Sequence, residues 1–494
     1  MSILKSVVLV LSLIVYIAVG FFTEREDFAS YFIGYTALFG GYLYLFRSNI
    51  NLKWGLFAGL AFRIVLLFSV PNLSDDFYRF FWDGQLIGHG ISPFEMTPAD
   101  WIEAPPADGP AALTTALFES LNSPNYFTIY PPICQYIFGI AASISLGNIY
   151  WAVFIMKLFI LLFEIGSIFL LISLIRHWQY PVRLIFLYAL NPLVILELTG
   201  NLHFEAGMLF FVLLAVWFLV KKRASLSAVA MSLAICTKLL PLMFLPFLVK
   251  RFLFPYGESH TETLGNRFIK MLQYFSIVGL LSIGLFASIL SWGDVTNIFS
   301  SIDLYFRSFE FNASIYYVVR EIGYWVKGWN IIQIAGPVLG LLTLISILLL
   351  AFFEKKYCIE RYPRMMLYAL SIYFLFANIV HPWYLTPLIA LCIFTNFRFP
   401  ILWSFLISLT YIAYINPDQY QENYYLVGLE YILVFVFIIY EYSCQYQSKK
   451  YMDKFCHMEK SCVLQGEENG NENREMEMEM KMKMKMIIGK WKWK

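Results

Sequence analysis

The chain has 494 residues, of which 59% are hydrophobic and 19% aromatic but only 14% charged, and its mean hydropathy is +0.64. These values exclude a soluble globular enzyme and point to a polytopic membrane protein. A formal net charge of +2, with the basic residues in short loops instead of one patch, gives no footing for a nucleic-acid partner.

Taken in chain order, the N-terminal run MSILKSVVLVLSLIVYIAVGFF starts like a signal peptide. No small-residue cleavage pattern follows, so it reads as a first transmembrane helix that stays. Apolar runs long enough to cross a bilayer lie near 4–22, 30–46 and 53–72. The acidic TEREDFAS and the basic RSNINLK between them place the N-terminus in the cytoplasm and the loop from 73 to about 130 outside. That loop carries eight acids (Asp75, Asp76, Asp83, Glu95, Asp100, Glu103, Asp108, Glu119) against one arginine, and it is far longer than a connector needs to be.

The loop opens on SDDFYRFFWDG. Read as a helix, it sets Asp76, Arg79, Phe80 and Asp83 on one face. The next apolar stretch, 131–148, must begin and end outside if RHWQYPVR and KKRAS are to be cytoplasmic, which predicts a re-entrant or surface-lying helix behind Pro131-Pro132. Spans follow near 150–175, 183–200 and 204–220. The segment 224–252 has basic residues at both ends and reads as two half-helices broken around Thr237-Lys238-Leu239-Leu240-Pro241. A lysine at such a break calls for an anion.

Beyond a cytoplasmic loop at 251–267, spans are expected near 268–290, 331–353, 365–380, 383–396, 400–416 and 424–442, with 291–330 external. The expected class is therefore all-α and polytopic, with about 12 crossings plus re-entrant or broken helices. One membrane domain covers 1–442, with 73–130 as its external catalytic loop, and a hydrophilic low-complexity cytoplasmic tail covers 443–494. The KWKWK end of that tail suits anionic lipid. Seven scattered cysteines, Cys236 and Cys392 in apolar runs and Cys444, Cys456 and Cys462 in the tail, indicate neither a disulfide framework nor a zinc site.

In this topology the polar residues converge on one face: Asp75, Asp76, Arg79, Asp83 and His89, then Asn201, His203 and Glu205 in TGNLHFEAG, Lys238, Asn312 in FEFNASIYYVVRE, and His381 with Tyr384 in HPWYLTP. Ionisable groups at a membrane face are functional candidates by default. Carboxylates able to act as base beside cations able to hold a phosphate suit a sugar carried on a lipid phosphate. Each residue also has a plainer reading. Asp75 and Arg79 would pair at i,i+4, Asp83 would turn the chain, His203 and Glu205 would be solvated, and Arg63, Lys157 and Glu164 would pair between helices or snorkel. Asn312 sits in the formal glycosylation triplet Asn-Ala-Ser.

The runs SDDFYRFFWDGQLIGHGISPFE, YPPICQYIF, NPLVILELTGNLHFEAG, CTKLLPLMFLP, FNASIYYVVRE and HPWY, in that order, resemble the GT-C integral-membrane glycosyltransferases. The likeness is greatest to polyprenol-phosphate-mannose-dependent mannosyltransferases and glycosyltransferase family 87, and runs from about residue 55 to 400. The resemblance implies a catalytic base in the first external loop, at Asp75 or Asp76, and a lysine at the lipid phosphate, matching Lys238. The adjacent aspartates depart from a clean Asp-x-Asp and leave the choice of base open.

The expected activity is transfer of a hexose, mannose first, from a polyprenyl-phosphate donor to a glycan or lipid-linked acceptor on the external face, with inversion. Arg79 and Lys238 are expected at the donor phosphate, and Asp83, His203, Glu205, Asn312, His381 and Tyr384 around the cavity. A divalent metal at Asp75 and Asp76 is compatible with this chemistry and not required by it. The expected setting is a bacterial inner membrane with both termini cytoplasmic and the site periplasmic. The rivals are a lipid-linked-sugar flippase or transporter, which calls for charges through the middle of the spans, and a polysaccharide polymerase or ligase, which calls for a late, arginine-rich external loop.

Overall fold

The computed structural model describes residues 2–107, 109–255, 262–291, 293–416 and 420–464, with side chains to 447 except at 302 and 305. Helices make up 74% of it. Among the described residues there is no strand, only an isolated parallel bridge between Phe311 and Ile379.

Three helices open the chain, α1 (Ile3–Phe22), α2 (Phe28–Arg47) and α3 (Leu52–Leu66). Each begins at a side-chain cap: Ser2, Asp27 and Asn51 accept from the amides of Lys5, Ser30 and Lys53. The long loop then holds α4 (Asp76–Gly88) and two short turns at Pro98–Glu103 and Thr115–Glu119, the first closed by a Thr97/Asp100 capping box. α5 (Pro132–Ser145), started by its proline, leads to the 29-residue α6 (Ile149–His177).

The expected single span at 183–200 is two helices, α7 (Val182–Ala189) and α8 (Pro192–Gly200), bent by 50°. The cause is Asn191-Pro192. Proline keeps Asn191 extended, and the Asn191 side chain caps the new helix through the amide of Leu193. α9 (Glu205–Val220) and α10 (Ala224–Ile235) follow, and the chain then breaks at 236–239, as the sequence predicts, before a 3₁₀ turn (Leu240–Phe244) and α11 (Pro246–Leu253). Backbone freed at the break is satisfied by the start of α5: the Ile133 amide donates to Cys236 O at 2.9 Å, and the Cys134 thiol to Thr237 O at 3.3 Å.

The rest is α12 (Leu264–Ala287), α13 (Asp294–Ser308), α14 (Ile315–Lys327), α15 (Ile332–Phe353), α16 (Tyr362–Phe376), α17 (Pro382–Cys392), α18 (Phe399–Tyr414) and α19 (Tyr424–Leu464). Among the described residues five helices are long and apolar enough to cross a membrane alone, or six if the bent α7/α8 pair is one span; the other expected crossings fall on shorter or less apolar helices. The final helix runs on to Leu464 where a hydrophilic tail from 443 was expected; the Met/Glu/Lys repeat and KWKWK lie outside the described residues, as does Asp108.

Arg63, Glu164 and Lys157, charged residues buried inside the body, are each engaged by other protein groups. Arg63 meets Glu164 at 2.8 Å and donates to Gly59 O and Ala189 O, while Lys157 donates to Leu66 O and Ser69 O. Neither cation snorkels; both are fully buried between helices.

The packing that positions the site is α4 on α5. The two run in the same direction, with Asp83 beside Gln135, Gly84 beside Phe138 and Gly88 beside Ser143. Glycine is needed at the crossing, because a Cβ on Gly84 would lie 2.4 Å from Phe138 O. Gly84→Ala is therefore expected to destabilise the protein by about 1–3 kcal/mol. A lower midpoint of thermal unfolding in detergent would bear this out; an unchanged midpoint would show that the helices can part freely.

Candidate active site

Residues 67–75 separate the end of α3 from the start of α4 at Asp76. Asp75 is the residue before the helix and Asp76 its first turn, where the helix N-terminus favours a carboxylate. The two aspartates have different partners. Asp75 Oδ2 meets Arg25 Nη1 at 2.6 Å, an arginine from the α1–α2 loop. Asp76 accepts from Asn122 Nδ2 at 2.8 Å and, at 3.5 Å, from the Tyr130 hydroxyl, both neutral. Burial raises the Asp76 carboxyl above the usual carboxylate range, with Asp75 and Glu205 acting in the same direction and Asn122 and Lys238 against it.

Lys238 stands on the 236–239 break. Its ammonium pairs with Glu205 at the start of α9 and lies 4.0 Å from the centre of the Tyr384 ring. The Lys238 side chain is 29% exposed while Glu205 is buried, so the cation is the accessible member of the pair. The starts of α4 and α9 and the break at 236–239 thus supply the polar residues here, each at a point where regular helix stops or begins.

Two imidazoles complete the wall. His203 Nδ1 lies 3.2 Å from Asn201 O, and its ring meets Trp383 at 3.8 Å; His381 stacks on Trp383 at 4.4 Å and on Phe311 at 4.9 Å. Burial first, then Lys238, holds His203 well below the imidazole range and His381 at about 3. Both are neutral, and each keeps one buried ring nitrogen without a hydrogen-bond partner, Nε2 of His203 and Nδ1 of His381.

Of the predicted site residues, Asp75, Asp76, His203, Glu205, Lys238, His381 and Tyr384 come together. Three others stand elsewhere. Arg79 is buried, pairs with Asp83 at 2.8 Å and donates to Ser123 O and Tyr126 O, so it pins the loop to α4 instead of facing the opening. Asp83, fully buried, also accepts from Gln135 at 3.0 Å and belongs to the α4–α5 contact. Asn312 is fully buried with positive φ, its side chain on Glu430 and its amide on Glu422, and so is closed to glycosylation. Sequence reasoning passed over Arg25, Asn122, Tyr130 and Trp383. Arg25 and Trp383 lay in stretches singled out for other reasons, TEREDFAS for its charge and HPWYLTP for its histidine; nothing marked Asn122 or Tyr130.

Asp75 and Asp76 are a poor donor set for a divalent cation, since Arg25 already holds Asp75, and among the described residues no group of three His, Cys, Asp or Glu could hold a metal. Chemically, the arrangement offers one carboxylate held by neutral donors, one lysine within its field, and a cluster of aromatic rings beside that lysine.

A helical membrane body with an acidic first loop and a lysine at a helix break is the arrangement that the sequence resemblance leads us to expect. Over residues 14–253, just under half the chain, the sequence matches the family model described as alpha-(1->6)-mannopyranosyltransferase, N-terminal domain, and the protein is a glycosyltransferase of the mannosyltransferase kind. The matched segment runs from α1 to α11 and so holds Arg25, the aspartates, Glu205 and Lys238, but not His381 or Tyr384. No curated protein matches the chain.

Proposed function

We propose that the protein transfers mannose from a polyprenyl-phosphate donor to a glycan or lipid-linked acceptor by single displacement with inversion. Asp76 takes the proton of the acceptor hydroxyl as its oxygen attacks the anomeric carbon. The bond from that carbon to the phosphate oxygen breaks, and the polyprenyl phosphate leaves against Lys238. Arg79 and Asp83 hold α4 and its loop in place, while His203, His381, Tyr384 and Trp383 wall the sugar. The site is read as lying on the periplasmic side of a bacterial inner membrane, with the N-terminus cytoplasmic, from the charges of the loops between spans.

The observation that carries the reading is that the Asp76 carboxyl, held by neutral donors, lies within the field of the Lys238 ammonium. The flippase alternative draws little support from the charges within the spans, since Arg63, Glu164 and Lys157 are all engaged with protein groups and form no open path. The test is donor choice. Purified protein should transfer label from polyprenyl-phosphate-mannose and not from a nucleotide-linked mannose, and the opposite preference would overturn the reading.

A further inference from the structure

Arg25 reaches the aspartates from a different part of the fold, the loop between the first two helices. Its guanidinium lies over the Tyr414 ring at 4.7 Å and the Tyr420 ring at 5.7 Å, Nη2 is 3.3 Å from the Tyr420 hydroxyl, and Nη1 meets Asp75 at 2.6 Å. Only 13% of the side chain is exposed. A solvated surface pair would leave both partners loose and contribute little. Here two aromatic rings and a hydroxyl fix the cation in one place, so its charge is delivered to one carboxylate.

The groups around Asp76 show what that charge does. Asp75 faces it from the same turn, Asn122 and Tyr130 from the loop, Glu205 from α9, Lys238 from the break, and Tyr414 from α18, while Arg79 is turned to Asp83. Three carboxylates therefore share this corner with two cations. Glu205 is matched by Lys238 and Asp75 by Arg25.

We propose that Arg25 is a positioning residue for the transfer reaction, cancelling the charge of Asp75 so that Asp76 is the one carboxylate left to take the acceptor's proton. This rests on the reading of Asp76 as base. It also assigns separate tasks to the adjacent aspartates: Asp75 anchors the first hairpin to α4, and Asp76 does the chemistry.

The consequence is a pH effect with a fixed sign. A base works in its ionised form, so activity is lost as pH falls through its pKa. Removing Arg25 leaves the Asp75 anion uncompensated beside Asp76, which disfavours ionisation and raises that pKa. The acidic limb of the transfer-rate profile should move to higher pH by about one unit in Arg25→Gln. Arg25→Lys, which keeps the charge, should hold the wild-type limb. The double variant Arg25→Gln/Asp75→Asn, which removes both charges, should bring the limb back toward wild type. A rate lowered equally at every pH, with no recovery in the double variant, would reduce Arg25 to a structural contact and overturn the proposal. Asp76→Asn separates the two layers. If it still transfers sugar, the base assignment itself fails; if it is inactive while Arg25→Gln leaves the limb unmoved, only the proposal for Arg25 falls.

Discussion

Replacing Asp76 by asparagine is expected to lower the turnover rate by about 10²- to 10⁴-fold, the usual worth of a positioned general base. Asparagine keeps the shape and can still bond to Asn122 and Tyr130, but it cannot accept the acceptor's proton. Donor affinity should change little, because the donor phosphate is assigned to Lys238. Asp75→Asn is expected to cost far less, since Asp75 meets Arg25 and not the acceptor. Initial rates and donor titrations on detergent-solubilised protein would separate the two aspartates, and equal losses would show that the pair acts as one unit.

The second large effect is expected at Lys238. Lys238→Ala removes the cation from the departing phosphate, and loss of one such stabilising group costs about 10²- to 10³-fold in rate. This substitution also strands the buried Glu205 carboxylate, a penalty of about 1–3 kcal/mol or more that would lower stability as well. The two consequences can be told apart. Lys238→Ala/Glu205→Gln leaves no uncompensated charge and should recover the thermal midpoint while remaining inactive. Recovery of activity together with stability would show that Lys238 serves only to pair Glu205.

The parts of this arrangement that could be read from sequence are those with local causes. Apolar runs located the first three helices, the basic residues around 224–252 located the broken helix, and the spacing in SDDFYRFFWDG gave a helix from Asp76. Parts that depend on distant partners could not be read this way. Arg25 finds Asp75 fifty positions on, and no pattern links them. Arg79 had an acid four residues to either side; the structure pairs it with Asp83, because Asp75 precedes the helix and so is off its face. Asn312 carried a formal glycosylation triplet, yet its environment is set by Glu422 and Glu430 more than a hundred residues later. At Asn191-Pro192 the signal was local and visible, but hydropathy and length outweighed it.

That lesson extends to the site as a whole. Its polar residues come from a loop between spans, a helix start, a helix break and the stretch before a proline-led helix, all points where backbone leaves regular hydrogen bonding. Each was marked in sequence by composition. Which of them are buried was decided by packing: the glycine-mediated approach of α4 and α5 buries Asp83, the loop carbonyls take Arg79, and the two aspartates at the start of α4 stay partly exposed.

The account stands most directly on bond cleavage. Protein reconstituted in vesicles with labelled polyprenyl-phosphate-mannose and an acceptor should release polyprenyl phosphate and form mannosylated acceptor in equal amounts. Intact lipid-linked mannose appearing on the opposite leaflet, with no polyprenyl phosphate released, would contradict it.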